Sequence, residues 1–266
     1  MPDFQKGAVL YRKLRYRKGH GVHSPFVYNL ITKVIEEKLP YCAFEKIKKI
    51  IPEPTSKKIG IKTFSTKRVK THKFGSLLFR LINFFKCNVV IQIGSPEITT
   101  SLYMASARSE CKCIVLDEDK VICSKIKELS GDTELDNLEI KCGNYPEQLN
   151  KIFSQEKKVD LVFINIPKHD NCRDIFSKCI SNAEENCIFV INGIRKNQNM
   201  RRLWKEIIQN PQITITIDLY TSGIFFLKKN IYKQHYKTYF DHGKEQNIHK
   251  NRRPRFYFFG RRKKSS

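Results

Sequence analysis

Short apolar runs alternate with helical patterns through the middle of the chain. Between residues 71 and 229, five apolar runs have the length of strands, and stretches with helical spacing separate them. The predicted strands are 89–93, 113–116, 138–141, 159–164 and 187–191. The predicted helices between and around them are 74–85, 99–109, 120–129, 145–153, 172–182 and 199–209. Apolar strands separated by helices indicate a parallel sheet with helices on both faces.

The pattern changes after the last of these helices. Residues 213–220 alternate apolar and polar positions with period 2, and a short connection at 221–223 leads into the apolar run 224–227. This pattern predicts a β-hairpin, and therefore an antiparallel strand at the end of the sheet. The predicted fold is α/β: a Rossmann-like, doubly wound, mostly parallel sheet of about seven strands with a C-terminal antiparallel hairpin, plus N-terminal helices.

Three regions are predicted along the chain. Residues 1–70 form an N-terminal helical extension, in which Ser24 and Pro25 are typical of a helix start and apolar spacing predicts helices over 25–38 and 44–50. Residues 71–229 form the Rossmann-like domain. Residues 230–266 form a basic tail that we expect to be partly disordered.

Charge adds a second expectation. The 266 residues carry a formal net charge of +24, which attracts polyanions such as nucleic acid. In the tail, residues 250–264 interleave arginines with aromatic residues, which can pair with phosphates and stack on bases. The same composition is also typical of a solvated tail without a ligand.

The sequence also indicates where the protein is located and whether it binds a metal ion. No apolar run reaches the roughly 18 residues of a membrane-spanning helix, and the N-terminus lacks the features of a secretory signal. The nine cysteines are odd in number and several fall in predicted strands, so we expect free thiols in a cytoplasmic protein. Cys111 and Cys113 form a pair without a second pair at zinc-site spacing, so no metal site is predicted.

In a doubly wound sheet, ligands lie beyond the carboxyl ends of the strands. Gly94 ends the first strand and permits close backbone approach to a ligand, although an ordinary turn would use the same residue. Asp117 ends the second strand, where a carboxylate can accept both hydroxyl hydrogens of a ribose. The alternative is a helix N-cap, and both hold if Asp117 binds the ribose while Asp119 caps the helix. His169 follows the fourth strand and is either a general base or a surface histidine.

Residues 20–28 read HGVHSPFVY, and with this motif the chain resembles a bacterial family of class I S-adenosylmethionine (SAM) methyltransferases. The resemblance extends over about residues 10–240 and includes the strand DLVFI at 160–164 and the hairpin. It implies SAM as cofactor, with an unidentified methyl acceptor. The implied cofactor-binding residues are Gln92, Gly94, Ser95, Asp117, Gly143 and Asn144. The implied catalytic residues are Asn165 and His169, and the helices around His20 and His23 form a lid or simply a capped helix start.

Several positions depart from the family pattern. Gln92 replaces an acidic residue, and Ile98 replaces a glycine that lies against the cofactor's methionine end in the family. Asn165 and Asn192 replace aspartates, which removes hard oxygen ligands and argues against a Mg²⁺-assisted reaction. The leading hypothesis is therefore a metal-independent SAM methyltransferase with a degraded site.

Two other functions are alternatives to this hypothesis. One is an inactive methyltransferase-fold protein that binds nucleic acid or another anionic partner through its basic surface. A nicotinamide oxidoreductase is less consistent with the sequence, because the first turn lacks the pattern GxGxxG and the chain ends its sheet with a hairpin.

Overall fold

The protein contains a single eight-stranded sheet with helices on both faces, seen in a computed structural model. The structure describes residues 7, 11–12, 14–16, 18–51, 62–95, 98–131, 135–166, 172–228 and 231–240, and side chains within 62–71 are not included. The strand order is β3-β2-β1-β4-β5-β7-β6-β8. Only β7 runs antiparallel to its neighbours. The order reverses between β1 and β4, as expected of a doubly wound sheet.

The strands are β1 (Val89–Ile93), β2 (Lys112–Asp117), β3 (Leu138–Cys142), β4 (Leu161–Ile164), β5 (Ile188–Asn192), β6 (Ile215–Asp218), β7 (Ser222–Phe226) and β8 (Gln234–Lys237). The helices are α1 (Pro25–Leu30), α2 (Cys42–Ile50), α3 (Lys62–Phe85), α4 (Ile98–Ala105), α5 (Lys120–Gly131), α6 (Tyr145–Gln155), α7 (Cys172–Ser181) and α8 (Gln198–Gln209). Among the described helices, none is long and apolar enough to cross a membrane.

The predicted fold class is confirmed, with one more strand than expected. Strand β8 pairs in parallel with β6 at the edge of the sheet, although its residues were assigned to the basic tail. Its sequence QHYK has no apolar alternation, because an edge strand has little buried surface. Hydrogen bonding to β6, which the residue pattern does not encode, places it in the sheet.

The start of β7 was also predicted wrongly. The sequence pattern predicts Ser222 and Gly223 in the hairpin connection, but both belong to the strand. The ring of Trp204 on α8 packs directly over Gly223, where a Cβ atom would lie 2.3 Å from the ring. Gly223 is therefore a packing position under an aromatic ring, and the connection shortens to residues 219–221, with Tyr220 at φ 78°.

The N-terminal helices also differ from the prediction. The first ends at Leu30 and continues as a π-helical turn over Ile31–Ile35, well short of residue 38. At its end, Arg80 donates from Nε to the backbone oxygen of Val34 at 2.8 Å and satisfies a helix-terminal carbonyl. Helix α3 begins at Lys62, twelve residues before the predicted start, so the expected division at residue 70 falls inside it.

Two apolar cores lie on opposite faces of the sheet. Alternate residues of the central strands, such as Val90 and Phe163, pack against the N-terminal helices with α3 and α4. Their neighbours, such as Ile91 and Val162, pack against α6, α7 and α8. The central strands β1, β4 and β5 are buried on both faces, which explains why their sequences are almost continuously apolar.

Candidate functional site

Polar residues form a row along the carboxyl edge of the sheet. Gly94 follows β1, Asp117 ends β2 and Asn165 follows β4, and the parallel register places the three side by side. Asn192 ends β5 and pairs with Ser222 of β7, which continues the row. The row crosses the switch point between β1 and β4, where doubly wound sheets bind their ligands.

Gln92 is completely buried and organises the turn after β1. Its Nε2 donates to the Gly94 oxygen at 3.2 Å and to the Ser95 hydroxyl at 3.0 Å. Its Oε1 accepts from the Ser101 hydroxyl at 3.2 Å. An amide can donate and accept at once, whereas a carboxylate could not donate to Gly94. Gln92 therefore shapes the candidate site from inside the protein.

Gly94 is required by the backbone. Its φ of 79° lies in the left-handed region, and an added Cβ would stand 2.6 Å from the backbone oxygen of Asn165. The Gly94 N–H also donates to the Leu116 oxygen at 2.8 Å. Gly94 thus holds the turn after β1 tightly between the ends of β2 and β4.

Asp117 turns toward the protein backbone. Its Oδ2 accepts from the Ser95 N–H at 2.6 Å, and its Oδ1 accepts from the Asp119 N–H at 2.9 Å. Asp117 is only 2% exposed, so its carboxylate is buried in this conformation. The cap of α5 is Asp119, as the sequence allowed, and its Oδ1 accepts from the Val121 N–H at 2.8 Å.

Ile98 stands at the start of α4 and is half-buried. It packs against the apolar core on the face of the sheet that carries α3 and α4. Burial in that core accounts for the branched side chain at this position. The residues on its N-terminal side, 96–97, lie outside the described part of the chain.

The end of β3 supplies the last predicted cofactor residues. Gly143 has φ 142° and donates its N–H to the Asp117 oxygen at 2.9 Å, which fixes the turn beside β2. Asn144 caps α6 and accepts from the Glu147 N–H at 3.3 Å. The structure thus brings this turn next to Asp117.

Asn165 and Asn192 are joined directly. Asn192 donates from Nδ2 to Oδ1 of Asn165 at 3.0 Å. This bond turns the Nδ2 group of Asn165 away from Asn192, and that buried nitrogen has no hydrogen-bond partner among the described residues. Asn165 is 7% exposed, so it holds a buried donor that is suited to an oxygen atom of a ligand.

An arginine–aspartate cluster lies at the same edge and was not predicted. Asp218 ends β6 and accepts hydrogen bonds on both oxygens from the guanidinium groups of Arg12 and Arg195. Both guanidinium groups also lie over the ring of Tyr220, with centroid distances of 5.2 and 5.1 Å. Arg12 is 206 residues from Asp218 in sequence, so no local pattern could have revealed the contact.

The cluster controls the protonation of Asp218. Burial alone raises the pKa of a carboxyl group, but the hydrogen bonds and charges of Arg195 and Arg12 outweigh it and lower the pKa of Asp218 to about 2. The carboxylate therefore stays ionised at neutral pH. Through Arg12 and Arg195, it holds the N-terminal segment and the loop after β5 against the hairpin.

The remaining predicted site residues contribute less. His169 and the aromatic basic segment at 250–264 lie outside the described residues. His20 and His23 are both exposed, and His20 Nδ1 lies 2.9 Å from Nη1 of Arg15. Ser24 caps α1 by accepting from the Val27 N–H at 3.4 Å. Among the described side chains, no group of three or more His, Cys, Asp or Glu could hold a metal ion.

Solved structures with the same architecture are methyltransferases. The O-methyltransferase from Bacillus cereus, in complex with SAH, is 16% identical, with 77% of this chain and 97% of that chain covered and a TM-score of 0.52. The O-methyltransferase TomG from Streptomyces achromogenes, in complex with SAM, is 14% identical over 76% of this chain and 95% of that chain, with a TM-score of 0.51. The SAH-bound Podospora anserina methyltransferase PaMTH1 is 12% identical over 78% and 97%, with a TM-score of 0.52.

The likeness to these structures establishes the fold. The chain has the Rossmann-like architecture of class I methyltransferases, with the hairpin that closes their sheet. No protein-family model and no curated protein sequence matches the chain.

Proposed function

We propose that this protein is a SAM-dependent methyltransferase that transfers its methyl group without a metal ion. The observation that carries the proposal is the polar row at the carboxyl edge, which crosses the switch point between β1 and β4. Among the solved methyltransferase structures with this fold, two contain SAH and one contains SAM. The proposal concerns the cofactor and the reaction class, and the acceptor is defined only by the chemistry of the residues that face it.

The residues present fit the adenosyl part of SAM. Each oxygen of the Asp117 carboxylate accepts one backbone hydrogen bond and keeps a free lone pair for a ribose hydroxyl. Binding requires the Asp117 carboxylate to become exposed, because it is buried in this conformation. Gly94 and Ser95 on one side, and Gly143 and Asn144 on the other, would then line the space around Asp117.

The residues on the acceptor side fit a reaction without a metal. SAM supplies an electrophilic methyl group on a sulfonium, and transfer requires mainly that a nucleophile be held in line with it. Asn165 and Asn192 satisfy one another as neutral amides, so neither needs a cation to hold the two strand ends together. The unpartnered Nδ2 of Asn165 can orient an oxygen of the acceptor or of the cofactor.

Isothermal titration of the full-length protein with SAM and with SAH tests the proposal. We expect saturable binding of both, and no binding of NAD, which distinguishes this site from that of a nicotinamide oxidoreductase. The variant Asp117→Asn keeps the shape of the side chain but removes its charge, so it should bind SAM at least about tenfold more weakly, a loss of roughly 1.4 kcal/mol.

A metal chelator tests whether binding and methyl transfer need a metal ion. Binding and any methyl transfer should be the same in the presence and absence of EDTA, because the amides need no metal. The absence of SAM and SAH binding at high micromolar concentration, by a protein shown to be folded, would overturn the proposal.

A further inference from the structure

Two cysteines lie beside the candidate cofactor site. Cys142 is the last residue of β3, and the register of the sheet pairs it with Asp117. Cys123 lies on α5, and its Sγ is 3.6 Å from the backbone oxygen of Asp117. The same oxygen accepts the N–H of Gly143, the residue bonded to Cys142. Cys123 and Cys142 therefore both lie against the end of β2 at Asp117, close enough for their thiols to interact electrostatically.

The two thiols differ in accessibility. All nine cysteines of the chain are described and free, and Cys142 and Cys42 are the two that are exposed. Cys123 is buried beneath the end of β3. When an exposed thiol lies beside a buried thiol, the exposed thiol reacts first with the oxidant and the buried thiol then completes the disulfide.

We propose that Cys123 and Cys142 form a reversible disulfide by exchange with a low-molecular-weight disulfide such as oxidised glutathione. The Cys142 thiolate attacks the glutathione disulfide and releases one glutathione thiolate. Cys123 then gives its proton to water, and its thiolate attacks the Cys142 sulfur and releases the second glutathione. Overall, two protein thiols are oxidised and one molecule of oxidised glutathione is reduced to two thiols.

The bond would change the site that it borders. A covalent S–S bond is shorter than any contact between two unbonded thiols, so the end of β3 must move toward α5. Gly143 and Asn144 follow Cys142 directly, and Asp117 lies between the two cysteines. We expect the disulfide to weaken SAM binding, and this consequence rests on the proposed function, whereas the formation of the disulfide does not.

The rate of the second step should depend on pH. In the reduced protein, burial and the neighbouring Cys142 raise the pKa of Cys123 to about 12, and burial, the larger cause, still acts when Cys142 carries glutathione. The groups that face Cys123 are Asp117 on β2, Cys142 on β3 and Lys127 on its own helix. Because the thiolate is the attacking form, closure should accelerate about tenfold for each unit that pH rises in the neutral to mildly alkaline range.

The experiment treats the reduced full-length protein with oxidised glutathione and maps disulfides by peptide mass spectrometry. We expect one intramolecular bond between the peptides that contain Cys123 and Cys142, and its removal by dithiothreitol. Cys142→Ser should abolish this bond, whereas Cys42→Ser, at the other exposed cysteine, should leave it unchanged. Cys123→Ala should instead keep a stable glutathione adduct on Cys142.

Different failures have different meanings. A lasting glutathione adduct on Cys142 in the unaltered protein, or no reaction there, would overturn the disulfide. Titration of the reduced and oxidised forms with SAM should show at least a tenfold loss of affinity on oxidation, and equal affinities would overturn the effect on the site. A reduced protein that fails to bind SAM contradicts the proposed function, while the peptide map still decides the disulfide.

Discussion

Asn192 donates a hydrogen bond of 3.0 Å to Asn165 across the ends of β5 and β4. Two carboxylates at this separation would repel one another unless a cation or a shared proton lay between them. Two amides attract one another directly, and the contact leaves the buried NH2 group of Asn165 for a ligand. The pair therefore replaces the kind of site that a divalent cation favours with a neutral pair that needs no cation between its members.

The double variant Asn165→Asp with Asn192→Asp tests this interpretation. The two carboxylates should lower the melting temperature in EDTA, and Mg²⁺ or Mn²⁺ should restore part of the loss by binding between them. The unaltered protein should show no metal-dependent change. Thermal denaturation in EDTA and in millimolar Mn²⁺ measures both effects, and an equal response of the two proteins to Mn²⁺ would contradict the interpretation.

Gly94→Ala should destabilise the protein and impair ligand binding. The left-handed backbone alone costs an alanine about 1–3 kcal/mol, and the added Cβ would also collide with the Asn165 backbone. Gly131→Ala is the matched control, because nothing lies within 4 Å of its added Cβ at the end of α5. Urea denaturation should separate the two variants clearly, and similar stabilities would show that the turn after β1 can relax.

Gln92→Leu should disrupt the turn from within. The substitution keeps the side chain buried but removes the partner of the Ser95 and Ser101 hydroxyls, at a cost on the order of 2 kcal/mol. Gln198→Leu, on the exposed start of α8, should change stability by less than about 0.5 kcal/mol. Chemical denaturation provides the comparison, and a stable Gln92→Leu variant would mean that the hydroxyl groups find other partners.

Asp218→Asn should be among the most destabilising single changes at this edge. It leaves Arg12 and Arg195 together without their carboxylate, and removal of one member of a buried ion pair costs about 3–5 kcal/mol. The N-terminal segment should also become more sensitive to proteolysis, since Arg12 ties it to β6. Limited proteolysis and urea denaturation at neutral pH measure the two effects, and an unchanged cleavage pattern would argue against this tie.

The same carboxylate predicts an acid transition in the unaltered protein. The pKa of Asp218 is lowered to about 2 in the folded state, so its contribution is complete above its ordinary pKa of 3.8 and is lost as pH falls toward 2. The contribution amounts to about 2 kcal/mol at neutral pH. Urea denaturation through this acid range should show Asp218→Asn approaching the unaltered protein, and a constant difference would refute the linkage.

Much of the architecture could be predicted from the sequence, because burial on both faces makes the central strands continuously apolar. The positions of Gly94, Asp117 and Asn165 followed from the same reasoning, since parallel strands end at one edge. The orientation of Asp117 could not be predicted. Its carboxylate turns to the N–H groups of Ser95 and Asp119, and this choice depends on where the turn after β1 lies.

The sequence by itself determined the alternation of strands and helices and the closing hairpin, because hydrophobic periodicity is a local property. Only the tertiary structure decided the strand order and the contacts that cross the chain: β8 beside β6, Arg12 on Asp218, and Cys123 and Cys142 on either side of Asp117. Each of these joins residues whose local patterns carry no information about a partner. Their pairing depends on the relative placement of elements that packing establishes after the local structure has formed.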